Sequence, residues 1–132
     1  MKERFLKKGI KMSAKTILIV DDSPTDMMLM QSALEGRGYI LLTAGDGEQA
    51  LQMVREQKPD LVLLDVILPK KNGFQVCRQL KTALETKATK IIMVTSKNQD
   101  SDRFWGMRQG ADEFLTKPCS PEELRRSVSR FV

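Results

Sequence analysis

No histidine occurs among the 132 residues. Imidazole catalysis is therefore excluded, and so is the most frequent nitrogen ligand of zinc. The two cysteines, Cys77 and Cys119, lack metal-ligand spacing, so a zinc site has no donor set. Each is expected to be a reduced, partly buried thiol, and no disulfide is expected. No stretch approaches the ~20 apolar residues of a membrane span. The N-terminus also lacks the apolar core and small-residue cleavage site of a signal peptide. These absences lead to the expectation of a cytoplasmic protein with no membrane insertion.

A strongly basic domain is missing too, although the formal charge is +5. Residues 1–11, MKERFLKKGIK, hold five Lys or Arg against one Glu, which leaves +1 for residues 12–132. The basicity thus belongs to the terminus, and nucleic acid is not expected as a partner. Residues 1–13 are read as a basic N-terminal extension, for which disorder is one expectation, and residues 14–132 as one folded domain. The 41% hydrophobic content suffices for a core in a domain of this size.

Apolar runs alternate with amphipathic ones along that domain. Ile17 to Val20 is an unbroken branched run, read as a buried strand. Met27, Met30 and Leu34 then recur at helical spacing, with Ser23 as a cap, Pro24 in the first turn, and Gly36 and Gly38 beyond the end. Strands are predicted at residues 39–44, 61–64, 90–95 and 113–116, and helices at 47–57, 72–84, 100–109 and 121–131. Five β/α pairs argue for a single doubly wound five-stranded parallel α/β sheet with helices on both faces. Ligands of such sheets bind outside the carboxyl ends of the strands.

Polar residues gather where the apolar runs stop. Val20 is followed by Asp21 and Asp22, Leu64 by Asp65, Val94 by Thr95 and Ser96, and the last strand by Lys117 and Pro118. Adjacent carboxylates repel one another and resist desolvation, so a cation should compensate them. Oxygen donors without imidazole or thiolate suit a hard ion such as Mg²⁺. An aspartate can act as a nucleophile toward phosphorus, with a cation, a lysine and a hydroxyl neutralising the transferred group. Any one of these positions could be an ordinary helix cap or turn. Four suitable strand ends together favour the chemical reading.

The segments ILIVDDS, DVILPKKNG, VTS and GADEFLTKP resemble the receiver domains of two-component response regulators, over Lys15 to Val132. The resemblance implies a flavodoxin-like fold in which Asp65 is the phosphoacceptor. It further implies Mg²⁺ held by Asp21, Asp22, Asp65 and the backbone carbonyl of Ile67, with Thr95 and Lys117 contacting the phosphoryl group. Thr95 and Phe114 take the switch positions, and a cis peptide is implied before Pro118. Pro69 and Gly73 resemble the turn after the phosphorylated strand, where a glycine permits positive φ. The stretch from Ser101 to Pro118, with its WGMRQGA, is similar to PilH-type twitching-motility regulators. Trp105, the single tryptophan, is a candidate for a partner-facing surface.

The function implied is a stand-alone phosphorylatable switch rather than an enzyme, although self-catalysed phosphorylation and dephosphorylation are compatible with it. A sensor histidine kinase would act upstream and a motility, chemotaxis or other signalling protein downstream. The alternative is a phosphorylation-independent interaction module with the same fold. A third reading is a phosphatase that forms an aspartyl phosphate. It is disfavoured because enzymes of the haloacid-dehalogenase type carry a second aspartate where Ile67 stands. Phe114 replaces the tyrosine frequent at its position, and the apolar Ile67 leaves phosphoryl lifetime open.

Overall fold

The structure, a computed structural model, describes residues 14–132. It also gives the backbone of Arg4–Phe5 and Lys11–Met12, which pair antiparallel. Apart from those four residues, the reading of residues 1–13 as an extension lies outside the described residues.

Five strands form the main sheet: β1 (Thr16–Val20), β2 (Ile40–Ala44), β3 (Leu61–Leu64), β4 (Lys90–Thr95) and β5 (Glu113–Thr116). All neighbours are parallel, in the order β2-β1-β3-β4-β5. Five helices connect or follow them: α1 (Pro24–Leu34), α2 (Gly47–Gln57), α3 (Gly73–Thr82), α4 (Asp100–Arg108) and α5 (Pro121–Ser129).

Side-chain alternation along the strands divides the core into two layers. Ile17 and Ile19, Leu61 and Leu63, and Ile92 and Val94 pack with Met30 and Leu34 of α1 and Leu124 and Val128 of α5. Leu18 and Val20, Val62 and Leu64, and Ile91 and Met93 face the other way, toward Ala50, Val54, Val76 and Leu80 of α2 and α3. Strands buried on both faces explain the continuous apolar runs, since neither side of the pleat meets water. Each fully buried aliphatic side chain contributes on the order of 1.5–3 kcal/mol.

Caps determine most helix starts. Ser23 accepts the Asp26 N–H, Asp46 the Gln49 N–H, Asn72 the Gln75 N–H, and Ser120 the Glu123 N–H. Three helices end before the positions read from the sequence. The chain leaves α3 at Thr82 instead of Leu84, because the buried Thr86 hydroxyl donates to the Leu80 carbonyl and turns the backbone away. Helix α4 stops at Arg108, with Gln109 as its cap ahead of Gly110 at φ +106°. Helix α5 stops at Ser129, after which Phe131 and Val132 donate back to Val128. Both cysteines are free thiols. Burial pushes Cys77 up to about 12, and its Sγ donates to the Gln109 carbonyl at 3.6 Å.

Candidate functional site

Parallel strands bring their carboxyl ends to one edge, and backbone hydrogen bonds extend the sheet just beyond them. The Asp21 N–H donates to Ala44 O at 3.1 Å, Asp65 N–H to Val20 O at 3.0 Å, and Lys117 N–H to Thr95 O at 2.8 Å. Residues from β1, β3 and β5 therefore converge with side chains aimed out of the sheet edge. Asp21, Asp22 and Asp65 each offer a carboxylate oxygen, and these atoms lie within 4.8 Å of one another. Asp21 and Asp65 are buried, whereas Asp22 is exposed.

Lys117 crosses to this acidic group and spends three hydrogen bonds on carboxylates. Its Nζ donates to Asp21 Oδ2 at 2.6 Å, Asp26 Oδ2 at 2.9 Å and Asp65 Oδ2 at 3.0 Å. Burial works against the ammonium charge, but these bonds outweigh it and hold Lys117 above the ordinary lysine value. Burial likewise pushes Asp21 up, against the pull of Lys117 and of the Ser23 N–H, and leaves its carboxyl above the usual range.

Asp65 is oriented by its own loop: the Ile67 N–H donates to Oδ1 at 3.1 Å. Ile67 itself is half exposed beside it. The loop returns to α3 at Gly73, and here the expected positive φ is corrected. The left-handed residue of this turn is Lys70, at φ 70°. Gly73 is required for closeness instead, because a Cβ there would lie 2.1 Å from the Asp65 carbonyl oxygen. The Lys117–Pro118 peptide bond is cis.

Thr95 is fully buried at the end of β4, where its Oγ1 accepts the Lys97 N–H at 3.4 Å. Lys97 turns away to pair with Asp102 at 3.7 Å. The Phe114 ring is buried, 2% exposed, beneath α4. Gly106 makes that position available: a Cβ would come within 2.8 Å of Met93 Sδ and 2.9 Å of the Phe114 ring. Arg103 covers the arrangement from outside, its guanidinium 5.3 Å from the ring centre and donating to the Phe114 carbonyl at 2.9 Å. Beyond it, Phe104, Trp105 and Met107 are exposed along α4.

Residues 17–129 match the response regulator receiver domain. The chain belongs to that family. PilH of Pseudomonas aeruginosa is 46% identical over 116 residues, which cover 88% of this chain and 96% of PilH. The alkaline phosphatase synthesis transcriptional regulatory protein PhoP of Bacillus subtilis is 44% identical over 118 residues, but the match spans only 48% of PhoP. Among solved structures, the chemotaxis response regulator CheY4 of Vibrio cholerae superposes with a TM-score of 0.84 at 29% identity, covering 91% of this chain and all of that one. The receiver domain of the sensor histidine kinase PA1611 of P. aeruginosa, with a magnesium ion coordinated in its active-site cleft, has a TM-score of 0.82 at 28% identity. It covers 90% of this chain and 98% of that one.

Receivers are phosphoacceptors, and the strand-end residues of this one stand where a hard cation and an anionic group could meet. Two features of the site were missed in the sequence. Asp26 reads there as an acidic residue in a first helical turn, which favours the helix dipole and needs no further role. Arg103 reads as a solvated charge on α4. Among the described residues, no helix is long and apolar enough to cross a membrane.

Proposed function

We propose that this receiver accepts a phosphoryl group on Asp65 from a sensor histidine kinase and signals through altered protein binding. The observation that carries the reading is the convergence of Lys117 with the Asp21 and Asp65 carboxylates at one sheet edge. In the transfer, an Asp65 carboxylate oxygen attacks phosphorus and the bond from phosphorus to the donor breaks. Lys117 pairs with the phosphoryl oxygens and the Thr95 hydroxyl donates to one of them.

The donor set suits Mg²⁺: three carboxylate oxygens within 4.8 Å, hard and anionic, with no imidazole in the chain. Asp21, Asp22, Asp65 and the carbonyl of Ile67 would hold it. Mg²⁺ would supply charge neutralisation to the transferred group.

Thr95 and Phe114 form the switch in this reading. Movement of the Thr95 hydroxyl toward a phosphoryl group changes the space around the Phe114 ring, and with it the surface of α4, β5 and α5. Trp105, 51% exposed on that surface, faces a protein partner. The likeness to PilH and CheY4 supports a place in twitching motility or chemotaxis.

Acetyl phosphate labelling with and without Mg²⁺ tests the proposal. Label is expected on wild type only with Mg²⁺, and none on Asp65→Asn. Equal labelling of the variant, or labelling that persists in EDTA, overturns it; a receiver that takes no label is the phosphorylation-independent module. Thr95→Ala should accept label yet lose the beryllofluoride-induced chemical-shift changes in residues 100–117.

A further inference from the structure

The third carboxylate on Lys117 comes from outside the strand ends. Asp26 sits in the first turn of α1, where the Ser23 hydroxyl accepts its N–H, and its Oδ2 accepts a hydrogen bond from Lys117 Nζ at 2.9 Å. An ammonium has three N–H groups, and all three are committed, to Asp21, Asp26 and Asp65. The three acceptors differ in access to water. Asp21 is enclosed, with no side-chain exposure, Asp65 is nearly so, and the Asp26 side chain is 36% exposed.

We propose that Asp26 is a positioning residue that competes with the phosphoryl group for Lys117. The inference rests on the assignment of Lys117 as a phosphoryl contact. A group on Asp65 places its anionic oxygens beyond the carboxylate, so the ammonium must re-aim its donors to reach them. Asp21 is enclosed, so Lys117 is not exchanged for water at Oδ2, while its other oxygen, Oδ1, is left to face a cation. The donor aimed at Asp65 can follow the group carried by that residue. A second donor becomes available only when Asp26 releases it, and Asp26 can be resolvated because it faces water. Asp26 thus raises the cost of the phosphorylated arrangement and holds Lys117 in place before it.

Beryllofluoride, an anionic phosphoryl mimic, provides the test on the full chain in saturating Mg²⁺, with binding followed by ¹⁹F NMR. Asp26→Asn, of equal size and without charge, should bind it about twofold to fivefold more tightly than wild type, the scale of a partly exposed ion pair. Asp26→Ser, too short to reach the ammonium, should behave likewise, and Asp26→Glu should return to the wild-type affinity. The gain should persist in high salt, because a direct contact is screened far less than a distant charge. Unchanged or weaker binding in both uncharged variants overturns the proposal, and so does a gain that disappears in high salt. Wild type that neither binds beryllofluoride nor takes label from acetyl phosphate refutes the functional reading itself, a result distinct from either.

Discussion

Aspartate and lysine meet at both ends of this sheet, with opposite accounting. At the amino end, Asp112 accepts the Ile91 N–H at 2.8 Å, pairs with Lys81 at 2.9 Å and lies 4.0 Å from Lys90. Asp60 similarly accepts the Thr16 N–H at 2.8 Å. Each carboxylate there starts a strand, and around Asp112 two ammonium groups serve one acid. At the carboxyl end the ratio is reversed: Asp21, Asp26 and Asp65 share Lys117, with Asp22 beside them. A cluster whose carboxylate is fully compensated is complete as it stands and holds the fold together. A cluster left with surplus negative charge is costly alone and is relieved by a cation.

Replacing one acid at each end separates the two roles most sharply. Asp65→Asn should abolish acetyl phosphate labelling while the far-ultraviolet circular dichroism stays native. Asp112→Ala should be labelled like wild type under conditions where it remains folded. A labelled Asp65→Asn would remove the distinction between the two ends.

Stability should respond in the reverse sense. Asp112→Ala leaves a strand N–H and the partly buried Lys81 without their acceptor, so it should cost about 2 kcal/mol in urea unfolding. A loss within error of zero would show that water replaces Asp112 without penalty.

Divalent cation should act at one end only. Mg²⁺ at ten times its dissociation constant should add about 1.4 kcal/mol to wild-type stability, raising the melting temperature. Asp21→Asn should lose most of that increment and Asp112→Ala should keep it. Equal Mg²⁺ stabilisation of all three proteins would place the ion elsewhere.

The smallest effect concerns pH in metal-free solution. Burial raises the Asp21 carboxyl above its usual range. The stability from its protonated form is therefore fully present below the ordinary aspartate value and is lost as pH rises through the raised one. Asp21→Asn should consequently be more stable than wild type at neutral pH, and the advantage should fade as pH falls through that window. Parallel pH profiles for the two proteins would contradict this sign.

The sequence by itself determined the alternation of strands and helices, because apolar period and capping residues are local signals that the packing reinforces. It also determined that Asp21, Asp22, Asp65, Thr95 and Lys117 stand at strand ends, since parallel strands carry successive carboxyl ends to one edge. Tertiary structure alone decided which groups meet there. Asp26 reaches Lys117 across 91 positions of chain, and no spacing rule encodes that approach. Gly73 reads as a turn glycine, yet its constraint is the Asp65 carbonyl 2.1 Å from where a Cβ would stand. Phe114 takes a switch position by resemblance, but its burial under Gly106 and Arg103 depends on how closely α4 settles on β5. Periodicity reports which side of an element faces the core; the distance between elements is set only when both layers pack together.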